Sequence, residues 1–164
     1  MALIFKTGDK AVYPAHGVGT IHGIETREIA GTRQTFYVLK IHENGMTIMV
    51  PTRNADNIGM REVIAKENIE QVFDILRERD VHLDSQTWNR RYREYMGKIK
   101  TGSVYEVAKV LRDLSILKTE KSLSFGERKM FDIAQSLLVK ELAVSLGEAE
   151  GNIETRINQI FDGE

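Results

Sequence analysis

The sequence predicts an α+β chain: a small SH3- or Tudor-like bent β-sheet over residues 1–65, then a compact all-helical domain of about five helices over residues 66–164. Two observations carry this expectation. Up to about residue 60, β-branched and aromatic residues alternate or cluster between turn signals, as they do in half-buried strands. After about residue 65 the apolar residues recur three and four apart, as they do on helix faces. The join falls within residues 57–67, where nothing is rich enough in Pro, Gly or Ser to make a flexible linker.

DKAVYPAHGVGTIHGIETREI, TRQTFYVLKIH and MTIMVP supply about four or five strands, enough for a curled sheet with an open edge. Turns are expected at Ala30-Gly31 and Asn44-Gly45. Asn44-Gly45 carries the stronger tight-turn signature, because both residues tolerate positive φ. Phe36, Val38, Leu39, Ile41, Ile48 and Val50 are the expected core. Met46 and Met49 alternate differently from an all-buried strand, and Pro51, with no N–H to donate, suits a sheet edge. That edge is either protected or a docking edge to which another protein adds a strand.

The helical faces follow in order. Ile69, Val72, Phe73 and Leu76 form the first; Val104, Val107, Ala108, Leu111, Leu114 and Leu117 form another; Met130, Ala134, Leu137, Leu138, Leu142 and Leu146 form a third. Ser103 with Glu106, and Ser124 with Glu127, fit the capping box, in which serine and glutamate satisfy donors left free by the first turn. Thr101-Gly102 and Gly147 stand where helices end. A weaker last helix runs around Ile153, Ile157, Ile160 and Phe161.

Composition excludes more than it assigns. The chain has no cysteine, hence no disulfide, thiolate metal site or cysteine nucleophile. No apolar run approaches the roughly 20 residues that span a bilayer, and residues 1–8 have no signal-peptide core, so a cytoplasmic protein is expected. His16, His22, His42 and His82 are scattered without zinc-site spacing. The glycines of PAHGVGTIHG lack the strand-to-helix pattern and the lysine of a phosphate loop. We therefore expect no catalytic residues, no metal and no cofactor.

The net charge of −1 conceals an asymmetry: Lys and Arg against Asp and Glu stand at 8 and 8 in residues 1–70, 10 and 7 in 71–118, and 5 and 9 in 119–164. The positive charge is concentrated in TWNRRYREYMGKIK, residues 87–100, where Arg90, Arg91, Arg93, Lys98 and Lys100 face a single Glu94. At about 100° per residue, Trp88, Tyr92, Tyr95, Met96 and Ile99 share one stripe of a helix and the cations spread over the rest. Periodicity assigns Tyr92, Tyr95 and Ile99 to a core. Trp88, the only tryptophan, lies in the first turn after a plausible N-cap, Thr87. There it is either a core residue or an apolar wedge held beside bases by cations on the phosphates.

FKTGDKAVYPAHGVGTIHGIETREI, YVLKI, MVP, WNRRYREYMGKIKTGSVYEVAKVLRDL and LSFGERKM, in that order along nearly the whole chain, resemble the CarD-like bacterial transcription regulators of the CdnL type. The amino-terminal part is also similar to the polymerase-interacting module of the bacterial transcription-repair coupling factor. The resemblance implies a non-catalytic regulator whose Tudor-like domain binds the RNA polymerase β subunit. Its helical domain would touch promoter DNA at the upstream edge of the bubble, stabilising the open complex in the nucleoid. By motif position it implies Trp88 as a wedge at the upstream fork and Arg90, Arg91 and Arg93 on the DNA backbone, with Lys98 in the same basic patch. Met96 and Phe125 fall in motifs that present an apolar surface nearby, although their spacing also permits burial. Arg27, in IETREI, matches a basic polymerase-contacting position, and Met49 and Pro51 match the docking strand. Some family members carry arginine where this chain has Met49, so an apolar contact replaces a salt bridge there.

Two other readings stay in play. One is a stand-alone nucleic-acid binder whose SH3-like sheet reads RNA; steep salt dependence without polymerase would mark it. The other, a small-molecule enzyme, requires a convergent pocket.

Overall fold

The computed structural model describes residues 4–81 and 87–163; His82 lies outside the described residues. The chain divides into two compact units, Met1–Val63 and Ile64–Glu164.

In the first unit β1 (Lys10–Tyr13), β2 (Gly17–Ile29), β3 (Thr32–Ile41) and β4 (Thr47–Pro51) form one antiparallel sheet in the order β1-β2-β3-β4. The long β2 shifts register between Ile21 and Gly23, a bulge that lets it bend and serve both neighbours in a curled half-barrel. A 3-10 turn (Thr52–Asn54) and the one-turn helix α1 (Ala55–Ile58) follow β4. The tight turn of the sheet is not the one with the stronger signature. Ile29 pairs with Thr32 across Ala30 (φ 52°) and Gly31 (φ 80°), a two-residue hairpin with both central residues at positive φ. Asn44-Gly45 instead closes a longer loop: only Gly45 has positive φ (70°), its N–H bonds Ile41 O at 2.9 Å, and Asn44 Oδ1 accepts the Met46 N–H at 2.9 Å.

The apolar run Phe36–Leu39 also divides differently from expectation. Tyr37, Leu39, Ile41 and Val50 face the core with Phe5, Ala11, Ile21, Ala55 and Met60, while Ile48 packs at its margin. Phe36, buried as expected, and half-buried Val38 belong to the opposite face, because successive strand residues alternate sides, and an unbroken apolar run hides which side is which. Tyr37 is the residue that expectation omits. Its ring meets Phe5 edge-on at 5.6 Å, and its hydroxyl accepts the N–H of Ile4 at 3.0 Å, drawing the amino-terminal segment onto the core. Gly19 is required for a different reason: a Cβ there would stand 2.7 Å from the Lys40 carbonyl oxygen and 2.8 Å from Leu39 Cδ1. Gly19→Ala is therefore expected to destabilise by about 1–3 kcal/mol, as overpacking against backbone does. Urea unfolding of the variant checks this, and an unchanged midpoint would show that β3 yields freely.

In the second unit α2 (Ile69–Arg77), α3 (Trp88–Lys100), α4 (Val104–Glu120), α5 (Phe125–Leu146) and α6 (Glu150–Phe161) form the five-helix bundle that the sequence predicts. α4 packs against α2, α3 and α5, and from Val110 to Leu117 it is buried without a break, the polar Arg112, Asp113 and Ser115 included. Its Arg112 is satisfied by Asp113 (3.0 Å) and Glu78 (2.6 Å). Leu137 and Leu146 of the third expected face are only half-buried, whereas Met130, Ala134, Leu138 and Leu142 are fully enclosed. Only one of the two capping boxes is complete. Ser124 and Glu127 reciprocate, but Ser103 N–H is taken by Thr101 Oγ1 at 3.2 Å and Glu106 turns to Lys109. The chain enters this unit under restraint: buried Glu141 accepts the Ile64 N–H at 2.9 Å and Ser145 Oγ donates to the Ile64 carbonyl at 2.6 Å. Ile64 is thus fixed to α5 by both of its backbone polar groups.

Candidate nucleic-acid interface and docking face

α3 begins where its sequence allows. Thr87 is extended (φ −64°, ψ 152°) and its Oγ1 accepts the Arg90 N–H at 3.4 Å, while Gly102 at φ 78° ends the following turn. α5 begins at Ser124, which accepts the Glu127 N–H at 3.2 Å while Glu127 Oε1 accepts the Ser124 N–H at 2.9 Å. The two first turns lie side by side, joined by two contacts.

The first contact is ionic. Arg91 Nη1 donates to Glu127 Oε2 at 3.1 Å, and the two side chains are only 13% and 3% exposed. Lys121 Nζ approaches the same oxygen at 3.7 Å. Burial pushes the Glu127 carboxyl towards its neutral form, but the hydrogen bonds with Ser124 and the charges of Lys121 and Arg91 outweigh it, holding the carboxyl below the usual glutamate value. Arg91, implied by motif as a phosphate contact, is thus engaged inside the protein. The wheel explains why: it stands four residues before Tyr95, on the buried stripe. Tyr95 itself is enclosed, and burial, helped by the nearby charge of Asp113, holds its hydroxyl protonated well above the usual tyrosine value.

The second contact is apolar. The half-buried indole of Trp88 lies against Gly126, and a Cβ on that glycine would stand 2.8 Å from Trp88 Nε1. Tyr92 meets the indole edge-on at 5.8 Å between ring centroids. Periodicity places Tyr92 in the core, but 46% of it is exposed, because it sits on the shoulder of the stripe that Tyr95 and Ile99 centre. Phe125 is 85% exposed at the first position of α5. Trp88, Tyr92 and Phe125 therefore gather where two helices start, two of them largely uncovered.

Cations surround this cluster. Arg90 and Arg93 are exposed on α3, with Arg90 loosely paired to Glu94 at 4.0 Å. Met96 and Lys98 are half-buried further along α3. α3 has no acidic residue in its first turn, and the one acid in the first turn of α5 is Glu127, ion-paired to Arg91. The positive ends of both helix dipoles thus stand beside arginine side chains, a setting that favours anions. Sequence reasoning missed Tyr92, Gly126, and the exposed Lys121, Arg128 and Lys129 around Phe125. The signal for Arg128 and Lys129 was their adjacency just past the first turn after a serine cap.

The sheet has a second candidate surface. Val38 pairs with Met49 and Phe36 with Pro51, while Glu25 pairs with Phe36 and Arg27 with Gln34, so Arg27, Met49 and Pro51 share the face opposite the core. Arg27 is bound in place by Glu25, whose Oε2 it meets at 2.9 Å. β4 pairs only with β3 and is an edge. The Ile41 N–H bonds Met46 O at 2.8 Å, and from that anchor the alternation of an antiparallel ladder directs the backbone groups of Thr47 and Met49 away from β3. Pro51 then ends the edge without a donor. Among the described residues no three of His, Asp and Glu stand together as a metal site, and no helix is long and apolar enough to cross a membrane.

Comparison with known proteins finds two family matches along the chain. Residues 5–64 match the family described as CarD-like/TRCF RID domain, and residues 71–158 the family described as CarD, C-terminal domain. The chain is 38% identical over 158 residues to the transcription-factor candidate YdeB of Bacillus subtilis (strain 168), covering 93% of this chain and 99% of that protein. Among solved structures it is similar to the amino-terminal domain of CdnL from Myxococcus xanthus, with 57% identity, 40% of this chain and 93% of that chain covered, and a TM-score of 0.34. The 72-residue amino-terminal domain of Myxococcus xanthus CarD is 35% identical over 38% of this chain and 83% of that chain, with a TM-score of 0.32. With two family descriptions matched in order and a relative aligned over almost its entire length, the chain belongs to the CarD-like family of transcription regulators.

Proposed function

We propose that this regulator bridges RNA polymerase and promoter DNA, docking on the β subunit through β4 and the face bearing Arg27, Met49 and Pro51, and stabilising the open complex at the upstream edge of the bubble. The observation that carries the proposal is the convergence of the first turns of α3 and α5, where Trp88, Tyr92 and Phe125 gather beside exposed Arg90 and Arg93. Flat aromatic groups supply contact with a base or a fork edge, and the cations and helix termini hold phosphates without reading sequence. Arg91 serves by holding the two turns together. A factor that binds the opened promoter better than the closed one shifts the equilibrium by that difference alone. Docking on polymerase raises the local concentration of a weak DNA contact, which reconciles the role with a net charge of −1.

The test is the lifetime of competitor-challenged open complexes with and without the full-length protein, alongside capture of polymerase by the immobilised chain. A longer lifetime together with capture supports the proposal. Salt-sensitive nucleic-acid binding with neither effect would favour the stand-alone binder. Met49→Glu is expected to weaken capture about tenfold, the scale of one packed interface anchor lost to a charge on a docking edge. Because Met49 stands on the face away from the core, its far-UV circular dichroism should match wild type. Unweakened capture by Met49→Glu would remove β4 from the interface.

A further inference from the structure

Gly126 is the second residue of α5, and its φ lies outside the left-handed region that favours glycine. Nothing in the backbone calls for glycine here, and glycine is the poorest helix former after proline. What calls for it is space. A Cβ would stand 2.8 Å from Trp88 Nε1, 3.0 Å from Cε2 and 3.1 Å from Cζ2, closer than carbon atoms pack without something moving. The other described glycines inside helices, Gly97 and Gly151, have nothing within 4 Å of the same construction.

We infer that Gly126 is a positioning residue: by lacking a side chain it lets the Trp88 indole lie directly on the first turn of α5, and so sets the direction in which the ring is presented. This rests on the proposed role of Trp88 at the promoter. The seat has three sides. Gly126 supports the Nε1–Cε2–Cζ2 side of the indole, Tyr92 bounds it edge-on, and the Arg91–Glu127 pair holds the two first turns at contact distance. An added methyl meets a half-exposed ring on one side and its own helix on the other. The ring is the softer of the two and moves, while α5, given a better helix former, stays.

Trp88 is the only tryptophan, so its emission reports the seat alone. In the free full-length protein, Gly126→Ala is expected to shift the emission maximum and raise quenching by acrylamide, with a thermal midpoint equal to wild type or higher. Gly151→Ala, the same change at the second residue of α6 with open space around it, should leave emission unaltered. In open-complex assays Gly126→Ala should lose several-fold of the lifetime gain, and should cost nothing further when Trp88 is already alanine. Unchanged emission and quenching in Gly126→Ala would overturn the inference, as would an equal lifetime loss with and without Trp88. If Trp88→Ala alone keeps the full gain, the proposed role of Trp88 at the fork fails instead, and the emission comparison still decides whether Gly126 seats the ring.

Discussion

Replacing Trp88 by alanine is expected to remove most of the lifetime that this protein adds to an open promoter complex, about tenfold to a hundredfold. The figure follows from the roughly 1–3 kcal/mol that one aromatic side chain contributes by stacking on an unpaired base or fork edge, if the contact is lost mainly in reclosing. The geometry makes the substitution readable. Trp88 is half-buried at a helix start, resting on Gly126 and Tyr92 and outside the set of fully enclosed side chains. Truncation therefore costs far less stability than loss of Leu111 or Leu138, and thermal unfolding will show a folded variant. Trp88→Phe should keep part of the gain, because a smaller ring still stacks. Arg90→Ala and Arg93→Ala should act differently, weakening the effect at all promoters alike and more as salt rises, since phosphate contacts are sequence-independent and screened. Retention of the full lifetime gain by a folded Trp88→Ala protein would falsify the wedge.

Much of this architecture is legible in the chain because its periods are clean. Val72 to Leu76 and Val104 to Leu117 fall on faces that no alternative spacing fits, and the serine of Ser124-Phe125-Gly126-Glu127 announces a helix start that the structure completes. The misreadings come where a local rule has two solutions. An unbroken run of four apolar residues does not say which parity faces inward, so the expected core omitted Tyr37 and included the half-buried Val38, while Phe36 is buried on the other face. Turn chemistry favoured Asn44-Gly45, yet register closes the two-residue hairpin at Ala30-Gly31, where an alanine accepts positive φ. Tyr92 and Tyr95 lie about 60° apart on the wheel, close enough to share a stripe and far enough for only one to be covered. Gly126 was beyond reach for another reason. Its neighbour is 38 positions away, and only the packing of α3 on α5 makes its missing methyl matter.

Breaking the Glu127 cluster is expected to have the largest effect on stability. Glu127→Ala removes the acceptor of the Ser124 N–H, deletes the buried carboxylate that Arg91 meets at 13% exposure, and releases Lys121. Removing one member of a buried pair costs about 3–5 kcal/mol, because the remaining charge stays desolvated. Glu127→Gln keeps a carbonyl for Ser124 but loses the charge, so its cost should be smaller, about 2–3 kcal/mol. The pH dependence separates the charge from the shape. The native carboxyl lies below the ordinary value of 4.5, so its ionic contribution is complete above that value and is lost as pH falls through the lowered native one. Wild type and Glu127→Gln should therefore differ most near neutrality and converge in acid, whereas Glu127→Ala should remain less stable throughout, having lost the hydrogen bonds as well. Denaturant titrations between neutral pH and the acid range, with Trp88 emission as the probe, read both quantities at once: unfolding free energy from the transition, and the state of the α3–α5 junction from the native baseline. A constant gap between wild type and Glu127→Gln across that range would mean that hydrogen bonding and fit, not charge, join the two helices.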